Sequence, residues 1–125
     1  MEANFAEKRK SERHFFSIQN QVRAAVAPPD GQAENIPIFI SGLSTGGFSF
    51  LGMRQDAKDI TTGDSIVLKK IEDPDLSDII DNMQVTIRHI IDYKIFLRLA
   101  FGCQFNNITD SQEKKIQEYI QTHLM

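Results

Sequence analysis

The sequence predicts a mainly β protein, a small antiparallel barrel whose open end is closed by a C-terminal helix. Two observations support this prediction. Segments across residues 14–105 alternate apolar and polar side chains with a period of two. The period then becomes helical in "TDSQEKKIQEYIQTHLM" (109–125), whose apolar stripe must pack against something. Antiparallel strands followed by one amphipathic helix are typical of a small plugged barrel.

Six segments have the composition of strands, and runs of turn-forming residues separate most of them. The predicted strands are "HFFSIQNQVRAAV" (14–26), "IPIFISGLS" (36–44), "GFSFLGM" (47–53), "SIVLKKI" (65–71), "MQVTIRHIIDYKI" (83–95) and "FLRLAFGCQF" (96–105). "APPDGQAEN" (27–35) is dense in turn formers and predicts a hairpin loop. The acidic "EDPDLSDIID" (72–81) predicts an irregular, solvated loop.

The C-terminal segment opens with two residues that favour a helix N-terminus. Thr109 and Asp110 are both good N-caps, and Gln112 and Glu113 each follow one of them at the spacing of a capping box. Apolar side chains then recur at helical spacing at Ile116, Tyr119, Ile120 and Leu124. We therefore expect a single amphipathic helix over 109–125 that packs against the barrel.

Length and composition predict one domain, with a flexible polar tail (1–12) and a barrel with its helix (13–125). With 125 residues, 41% of them hydrophobic, the chain can bury a core without a disulfide or metal. Cys103 is the single cysteine, so a reducing compartment is expected. No run approaches the roughly 18 apolar residues of a membrane span. The first twenty residues are charged where a signal peptide is apolar, which predicts a cytoplasmic protein without membrane insertion.

The N-terminal segment concentrates positive charge. "KRKSER" (8–13) holds four basic side chains and one carboxylate, in a chain whose net charge is −3. This contrast favours one concentrated site for an anion over a surface that attracts nucleic acid in general. Taken alone, the run is more typical of a solvated tail that adds solubility.

The loop "SGLSTGG" (41–47) is rich in glycine. Glycine-rich loops that cradle phosphates lead into a helix, whereas this loop continues into the strand pattern "FSFLGM" and lacks the Gly-Lys-Ser/Thr ending. A nucleoside-triphosphate loop is therefore not expected. The simplest interpretation is a turn between two strands in which Gly46 and Gly47 have positive φ.

Two short motifs occur in a fixed order along the chain. Arg9 and Arg13 form R-x-x-x-R, and Ser44 and Gly47 form S-x-x-G between two strands. In these motifs the sequence resembles the PilZ domain family, which are receptors for the bacterial messenger cyclic di-GMP. "GDSIVLKKI" and "LAFGCQFNNITDSQEKKIQEYI" resemble the family's middle strand, last strand and C-terminal helix, so the resemblance covers nearly the whole chain. It implies a six-stranded antiparallel barrel with a C-terminal helix, with cyclic di-GMP as ligand and no cofactor.

The resemblance also implies which residues bind the ligand. They are Arg9, Arg13, Ser44 and Gly47, to which we add Lys8, Lys10, Gly42 and Gly46 as further candidates. Arginine suits this ligand because its planar fork binds phosphate oxygens or the O6/N7 edge of guanine. Gly42 departs from the family pattern, which has Asp or Asn at this position. Its lack of a side chain removes one polar contact, worth about 0.5–1.5 kcal/mol.

The predicted function is that of a receptor without enzyme activity, which signals through an unidentified effector protein. Its oligomeric state, monomer or homodimer, stays open. Residues 1–12 are polar, so we expect the tail to become ordered when Arg9 and Arg13 bind the ligand. The alternative is a PilZ-like interaction module with weak or no nucleotide binding, which Gly42 favours. A barrel for single-stranded nucleic acid would favour a basic face with exposed aromatics, and the negative net charge argues against it.

No metal or catalytic site is predicted from the remaining reactive side chains. The histidines, His14, His89 and His123, lack metal-ligand spacing and are expected at the surface or the barrel rim. Cys103 lies in a predicted strand between Phe101 and Phe105, which favours a buried residue over a nucleophile.

Overall fold

The structure is a computed structural model that describes residues 13–15, 21–28, 35–92 and 97–124. For residues 13–15 and 124 it describes only the backbone. These ranges contain seven strands and three helices. The strands are β1 (Arg13–Phe15), β2 (Val22–Ala27), β3 (Ile36–Ser44), β4 (Gly47–Met53), β5 (Ser65–Lys69), β6 (Gln84–Asp92) and β7 (Arg98–Phe105). The helices are α1 (Arg54–Ala57), α2 (Pro74–Ile80) and α3 (Asp110–Leu124).

The strands close into an antiparallel barrel. Their order is β1-β3-β2-β5-β6-β7-β4, and an additional pairing of β3 with β4 closes the sheet. Because β4 runs along one edge of β3, β1 and β2 share the other edge, at Gly42–Ser44 and Ile36–Ile40 respectively. β1 and β2 therefore occupy one strand position in the barrel, one after the other along the same edge of β3. The seven strands fill six positions, and the predicted six-stranded barrel is confirmed.

The core fills the barrel and extends into its two ends. The largest fully buried side chains are Phe50, Phe101, Ile40, Leu43, Leu68, Ile87, Val26 and Val85 from the strands, and Leu76, Ile80, Ile116 and Ile120 from the helices. The rings of Phe50 and Phe101 stack with 4.7 Å between their centroids. Helices α2 and α3 plug the end where β5 and β7 finish, and α1 with its buried Ala57 follows β4 at the other end.

Helix α3 confirms the predicted C-terminal element and its cap. The backbone N–H of Gln112 donates to Thr109 Oγ1 at 3.1 Å, and the backbone N–H of Thr109 donates to Gln112 Oε1 at 3.0 Å. This reciprocal pair is the capping box. Ile116, Tyr119 and Ile120 are buried as their spacing predicts, and the side chain of Leu124 lies outside the description.

The prediction of an irregular loop over 72–81 was wrong, because α2 lies there. Asp73 caps its N-terminus by accepting from the backbone N–H groups of Asp75 at 3.0 Å and Leu76 at 3.4 Å, and Pro74 starts the helix. Leu76 and Ile80, four residues apart, are fully buried. The acidic side chains form the solvated face of this helix. The helix is too short for its two buried apolar residues to show a helical period among the carboxylates.

Several predicted boundaries shift by a few residues. β5 ends at Lys69 and not at residue 71, because Lys70 leaves the extended conformation with φ 55°. Helix α1 follows β4 directly and was not predicted. The predicted ends of β6 and β7 at 93–96, and residues 29–34 of the predicted loop 27–35, lie outside the described residues.

Candidate functional site

The two sequence motifs meet at one end of the barrel. The Cα of Arg13 on β1 pairs with that of Ser44 on β3, and Ser44 pairs with Gly47 on β4. Neighbouring strands lie about 4.8 Å apart, so the backbones of these three residues span about 10 Å. Arg9, together with Lys8 and Lys10, lies outside the described residues, as does the Arg13 side chain.

A β-bulge in β3 turns the motif serine outward. Before the bulge, the even-numbered Ile38 and Ile40 are buried in the core. The register between β3 and β4 shifts by one residue between Ile40 and Gly42, after which the odd-numbered Leu43 is in the core. The Gly42 and Ser44 positions therefore face outward, where Gly42 is buried and Ser44 is half-buried. Without the extra residue, the Ser44 hydroxyl would point into the apolar interior.

The hydroxyl group of Ser44 closes the motif turn. Its Oγ donates to the backbone oxygen of Gly47 at 3.4 Å and accepts from the backbone N–H of Gly46 at 3.3 Å. Both distances are long for hydrogen bonds, so both interactions are weak. The side chain is half-buried, and it can exchange these partners for a better one at small cost.

The two glycines of the turn have different roles, and neither is the predicted one. The prediction of positive φ at Gly46 and Gly47 was wrong, because Gly63, with φ 94°, is the only described glycine with a positive φ. A Cβ on Gly47 would lie 1.9 Å from the backbone oxygen of Cys103, so glycine is required where β4 meets β7. A Cβ on Gly46 would have no atom within 4 Å. The close approach at Gly47 is therefore between two strands of the barrel.

The outer surface beside the motif turn is poor in side chains. Gly42 pairs with Ser49, Ser49 with Gly102, and Gly102 with His89, in one row across β3, β4, β7 and β6. The His89 side chain lies beside Gly102. A Cβ added at Gly102 would lie 3.6 Å from the His89 Cδ2 atom. Glycine and serine add little side-chain bulk to this row, in which Gly42 is buried and Ser49 and Gly102 are half-buried. Sequence analysis named only Gly42 among them as a candidate site residue, since only the strand register brings "GFSF" and "AFGC" beside it.

A polar contact joins the two helices at the same end. The Tyr119 hydroxyl on α3 donates to Asp73 Oδ2, the N-cap of α2, at 2.6 Å. Partial burial raises the pKa of Tyr119 above its usual range, and the hydrogen bond to the Asp73 carboxylate adds to the shift. The ring of His123 stacks on Tyr119 with 4.0 Å between centroids. This contact fixes α2 against α3.

The remaining reactive groups do not form a second site. Cys103 is buried as predicted, its Sγ donates to the backbone oxygen of Phe48 at 3.2 Å, and burial raises the pKa of its thiol. His89 and His123 are exposed. Within the described ranges, no group of three or more His, Cys, Asp or Glu side chains is placed to hold a metal ion. None of the helices in those ranges is long and apolar enough to span a membrane.

Comparisons with known proteins agree with this architecture. The model of the PilZ domain family matches residues 7–122. The PilZ domain of Escherichia coli YcgR with cyclic di-GMP superimposes with a TM-score of 0.71 at 12% identity, over 92% of this chain and 90% of that one. No curated protein sequence matches the chain.

Two longer proteins contain the same fold. The Bacillus subtilis inhibitor of motility, MotI/DgrA, matches with a TM-score of 0.68 and 15% identity, over 93% of this chain and 51% of that one. The MrkH–cyclic di-GMP complex of K. pneumonia matches with a TM-score of 0.65 and 14% identity, over 93% of this chain and 52% of that one. The chain thus spans about half the length of both. At these identities the likeness concerns the fold.

Proposed function

This chain belongs to the PilZ domain family, and we propose that it is a receptor that binds cyclic di-GMP without transforming it. The observation that supports this function most directly is the pairing of Arg13 with Ser44 and of Ser44 with Gly47. Residues of two motifs that lie some thirty positions apart in the sequence are thereby neighbours in the sheet. The solved PilZ domain of YcgR, with cyclic di-GMP, has the same fold.

The chemistry of this surface matches the ligand. Cyclic di-GMP has two phosphodiester charges and two guanine rings. Arg9 and Arg13 supply planar forks for phosphate oxygens or a guanine edge, and Lys8 and Lys10 add attraction at longer range. The Ser44 hydroxyl gains a stronger partner when it exchanges its long internal bonds for the ligand. Ser49 and Gly102 are half-buried and carry little side-chain bulk, which suits a planar base stacked beside them.

Gly42 sets the expected affinity. Its position faces outward beside Ser44 and is buried, and it has no side chain where the family has Asp or Asn. One missing polar contact weakens binding by about 0.5–1.5 kcal/mol, or by up to about 3 kcal/mol if the contact is charge-assisted, which does not abolish binding. We therefore expect a dissociation constant in the micromolar range or tighter, equivalent to about −8 kcal/mol.

Calorimetric titration with cyclic di-GMP tests the proposal, because it reports affinity and stoichiometry together. The expected result is saturable heat, which Arg9→Ala reduces and which Lys58→Ala leaves unchanged. Lys58 is an exposed cation at the end of α1, at the other end of the barrel, so it controls for loss of charge. Absence of heat at ligand concentrations well above micromolar would refute the proposal and favour the interaction module without nucleotide.

The proposed signal is closure of the N-terminal tail over the ligand. Arg13 enters the barrel wall beside Ser44, so residues 5–13 have to cross the motif turn if Arg9 is also to bind. Ligand charge would then hold the tail, and the closed tail and the barrel face would present a new surface to an effector protein. Ordering each residue costs about 1–2 kcal/mol, so closure is expected only near Arg9 and Arg13.

Amide hydrogen exchange tests closure separately from binding. Residues 5–13 should exchange rapidly without ligand and gain protection at saturating cyclic di-GMP. Residues 116–120 of α3 serve as an internal reference that stays protected in both states, because Ile116 and Ile120 are buried. Unchanged exchange over 5–13, with binding confirmed by calorimetry, would show that the signal arises elsewhere.

A further inference from the structure

A row of side chains on the outer surface crosses five strands away from the motif turn. Register pairs each residue with the next in the order Arg23, Phe39, Leu51, Ala100 and Ile91. The residues before and after each of the inner three are buried, so the row faces outward. Phe39 lies five residues from Ser44, about 16 Å along the strand, which separates this row from the motif turn.

Two arginines share the ring of Phe39. The guanidinium Cζ of Arg23 lies 5.7 Å from the ring centroid, and that of Arg98 lies 5.6 Å from it. Both arginines are exposed, and neither forms an ion pair with another described residue. The ion pair within the described ranges joins Arg54 to Asp92. A neutral ring attracts both cations but cancels neither charge. An anionic group from outside would be attracted to both, and the ring contact limits the side-chain entropy lost on binding.

Aliphatic side chains border this pair of cations. Leu51, the cross-strand neighbour of Phe39, is half-buried on the outer face, and Leu97, next to Arg98, is 72% exposed. The backbone here is held in place, because the backbone N–H of Arg54 donates to the Leu97 oxygen at 2.6 Å. The Arg54 guanidinium also donates two hydrogen bonds to the Asp92 carboxylate on β6, the longer of them 2.9 Å from Nη1 to Oδ2. Arginine and aromatic anchors beside exposed apolar residues are typical of protein interfaces.

We propose that this Arg23–Phe39–Arg98 surface, bordered by Leu51 and Leu97, binds a protein segment that presents carboxylates beside apolar side chains. The carboxylates pair with the two guanidiniums, and the apolar side chains cover Phe39 and the aliphatic border. Nucleic acid or an anionic membrane would favour a broad cationic surface, whereas this chain has a net charge of −3 and a row with aliphatic members. The surface does not depend on nucleotide binding, so it goes beyond the receptor function.

Selection of random peptides displayed on phage against the whole chain tests this proposal. Peptides recovered by the wild type should be enriched in Asp and Glu beside Leu, Ile or Phe. Synthetic copies should bind the Arg23→Gln/Arg98→Gln double variant at least about tenfold more weakly. Arg88→Gln is the matched control and should bind like the wild type. Amide spectra of both variants should match the wild type, and both should titrate cyclic di-GMP normally, which separates this surface from the nucleotide site.

Each other outcome assigns the surface differently and overturns the proposal. Selected peptides that bind the double variant as well as the wild type, or that lack carboxylates, would show that the surface is not the binding site. A single-stranded oligonucleotide or phosphatidylserine vesicles that bind only when both arginines are present would assign it to phosphates. Self-association in sedimentation that the double variant abolishes would assign it to a second copy of the chain.

Discussion

The motif turn and the contact between α2 and α3 lie at the same end of the barrel but use their polar groups differently. In the turn, the Ser44 hydroxyl makes two long hydrogen bonds, of 3.3 and 3.4 Å. In the helix contact, Tyr119 donates to the Asp73 carboxylate at 2.6 Å, and Asp73 also caps α2. Polar groups that are well satisfied within the chain stabilise the fold. Weakly satisfied groups on an outer face remain available to a ligand, so stability and recognition should respond to different substitutions.

Gly47→Ala should have the largest effect, because it breaks the turn through the barrel itself. The new Cβ would lie 1.9 Å from the Cys103 oxygen, so β4 and β7 would have to separate. We expect a loss of about 3 kcal/mol in the free energy of unfolding, at the upper end for overpacking. Gly46→Ala is the matched control, since its Cβ meets no atom within 4 Å. Denaturant unfolding of both variants measures the difference, and equal stability would mean that the strands adjust without cost.

Arg13→Ala should act on binding and leave the fold intact. Loss of a charged hydrogen-bond donor is expected to weaken cyclic di-GMP binding by about 1.5–3 kcal/mol. The free energy of unfolding should change by less than about 0.5 kcal/mol, as for other surface positions. Calorimetry and denaturant unfolding on the same sample measure both quantities. Binding equal to that of the wild type would remove Arg13 from the site.

Tyr119→Phe should have the opposite profile, with lower stability and unchanged nucleotide binding. Removing the hydroxyl leaves the half-exposed Asp73 without one of its donors, at a cost of about 1.5 kcal/mol. Thr122→Val is the control on the same helix, because its hydroxyl donates only to the helical Glu118 oxygen at 2.9 Å. A cost no larger than that of the control would show that α2 and α3 are held by their apolar contacts alone.

The raised pKa of Tyr119 adds a pH dependence to the same comparison. A raised pKa in the folded state means that the neutral hydroxyl is stabilised by folding. This stability is fully present below the ordinary tyrosine pKa of about 10 and is lost as the pH rises through the folded value. The wild type should therefore lose stability above about pH 10 more steeply than Tyr119→Phe. Unfolding curves between about pH 8 and 11 measure how the free energy of unfolding of each protein changes with pH. Parallel slopes for the wild type and Tyr119→Phe would contradict the assignment of this pH dependence to Tyr119.

Ser44→Ala should weaken cyclic di-GMP binding by about 1 kcal/mol, the net value of a neutral hydrogen bond. Its effect on stability should be smaller than its effect on binding, because the internal bonds that it removes are long. Ser65→Ala, at an exposed position of β5, controls for the loss of a hydroxyl in a strand. A variant that loses stability and keeps its affinity would reverse the roles assigned to the turn and the helix contact.

Gly42→Asp tests a gain of contact and sharpens the comparison by adding a polar group to the turn. Restoring the carboxylate of the family pattern is expected to tighten binding by about 0.5–1.5 kcal/mol. Gly42→Ala separates the carboxylate from the loss of backbone freedom. Titration of the three proteins side by side measures the gain, and weaker binding by the aspartate variant would show that this loop recognises the ligand differently.

The elements predicted correctly are those whose signals are local. The capping box of α3 needs only Thr109 and Gln112, three residues apart, and strands β3 and β4 follow from a period of two between turn formers. The acidic α2 was missed because its apolar pair, Leu76 and Ile80, is outnumbered by carboxylates within one short segment. The glycines of the turn were predicted as residues of positive φ, since nothing near Gly47 in the sequence shows that the Cys103 backbone lies against it.

The sequence by itself determined which segments form strands and where the C-terminal helix begins, and it placed both motifs in a family order. Only the tertiary structure decided that Arg13 lies opposite Ser44, and that the bulge between Ile40 and Gly42 turns the serine outward. It also decided that two arginines from distant strands meet at Phe39. The physical reason is register. Side chains in a strand alternate with a period of two, so a shift of one residue moves each of them to the other face. That shift is set by packing between strands far apart in the chain, which local sequence patterns do not contain.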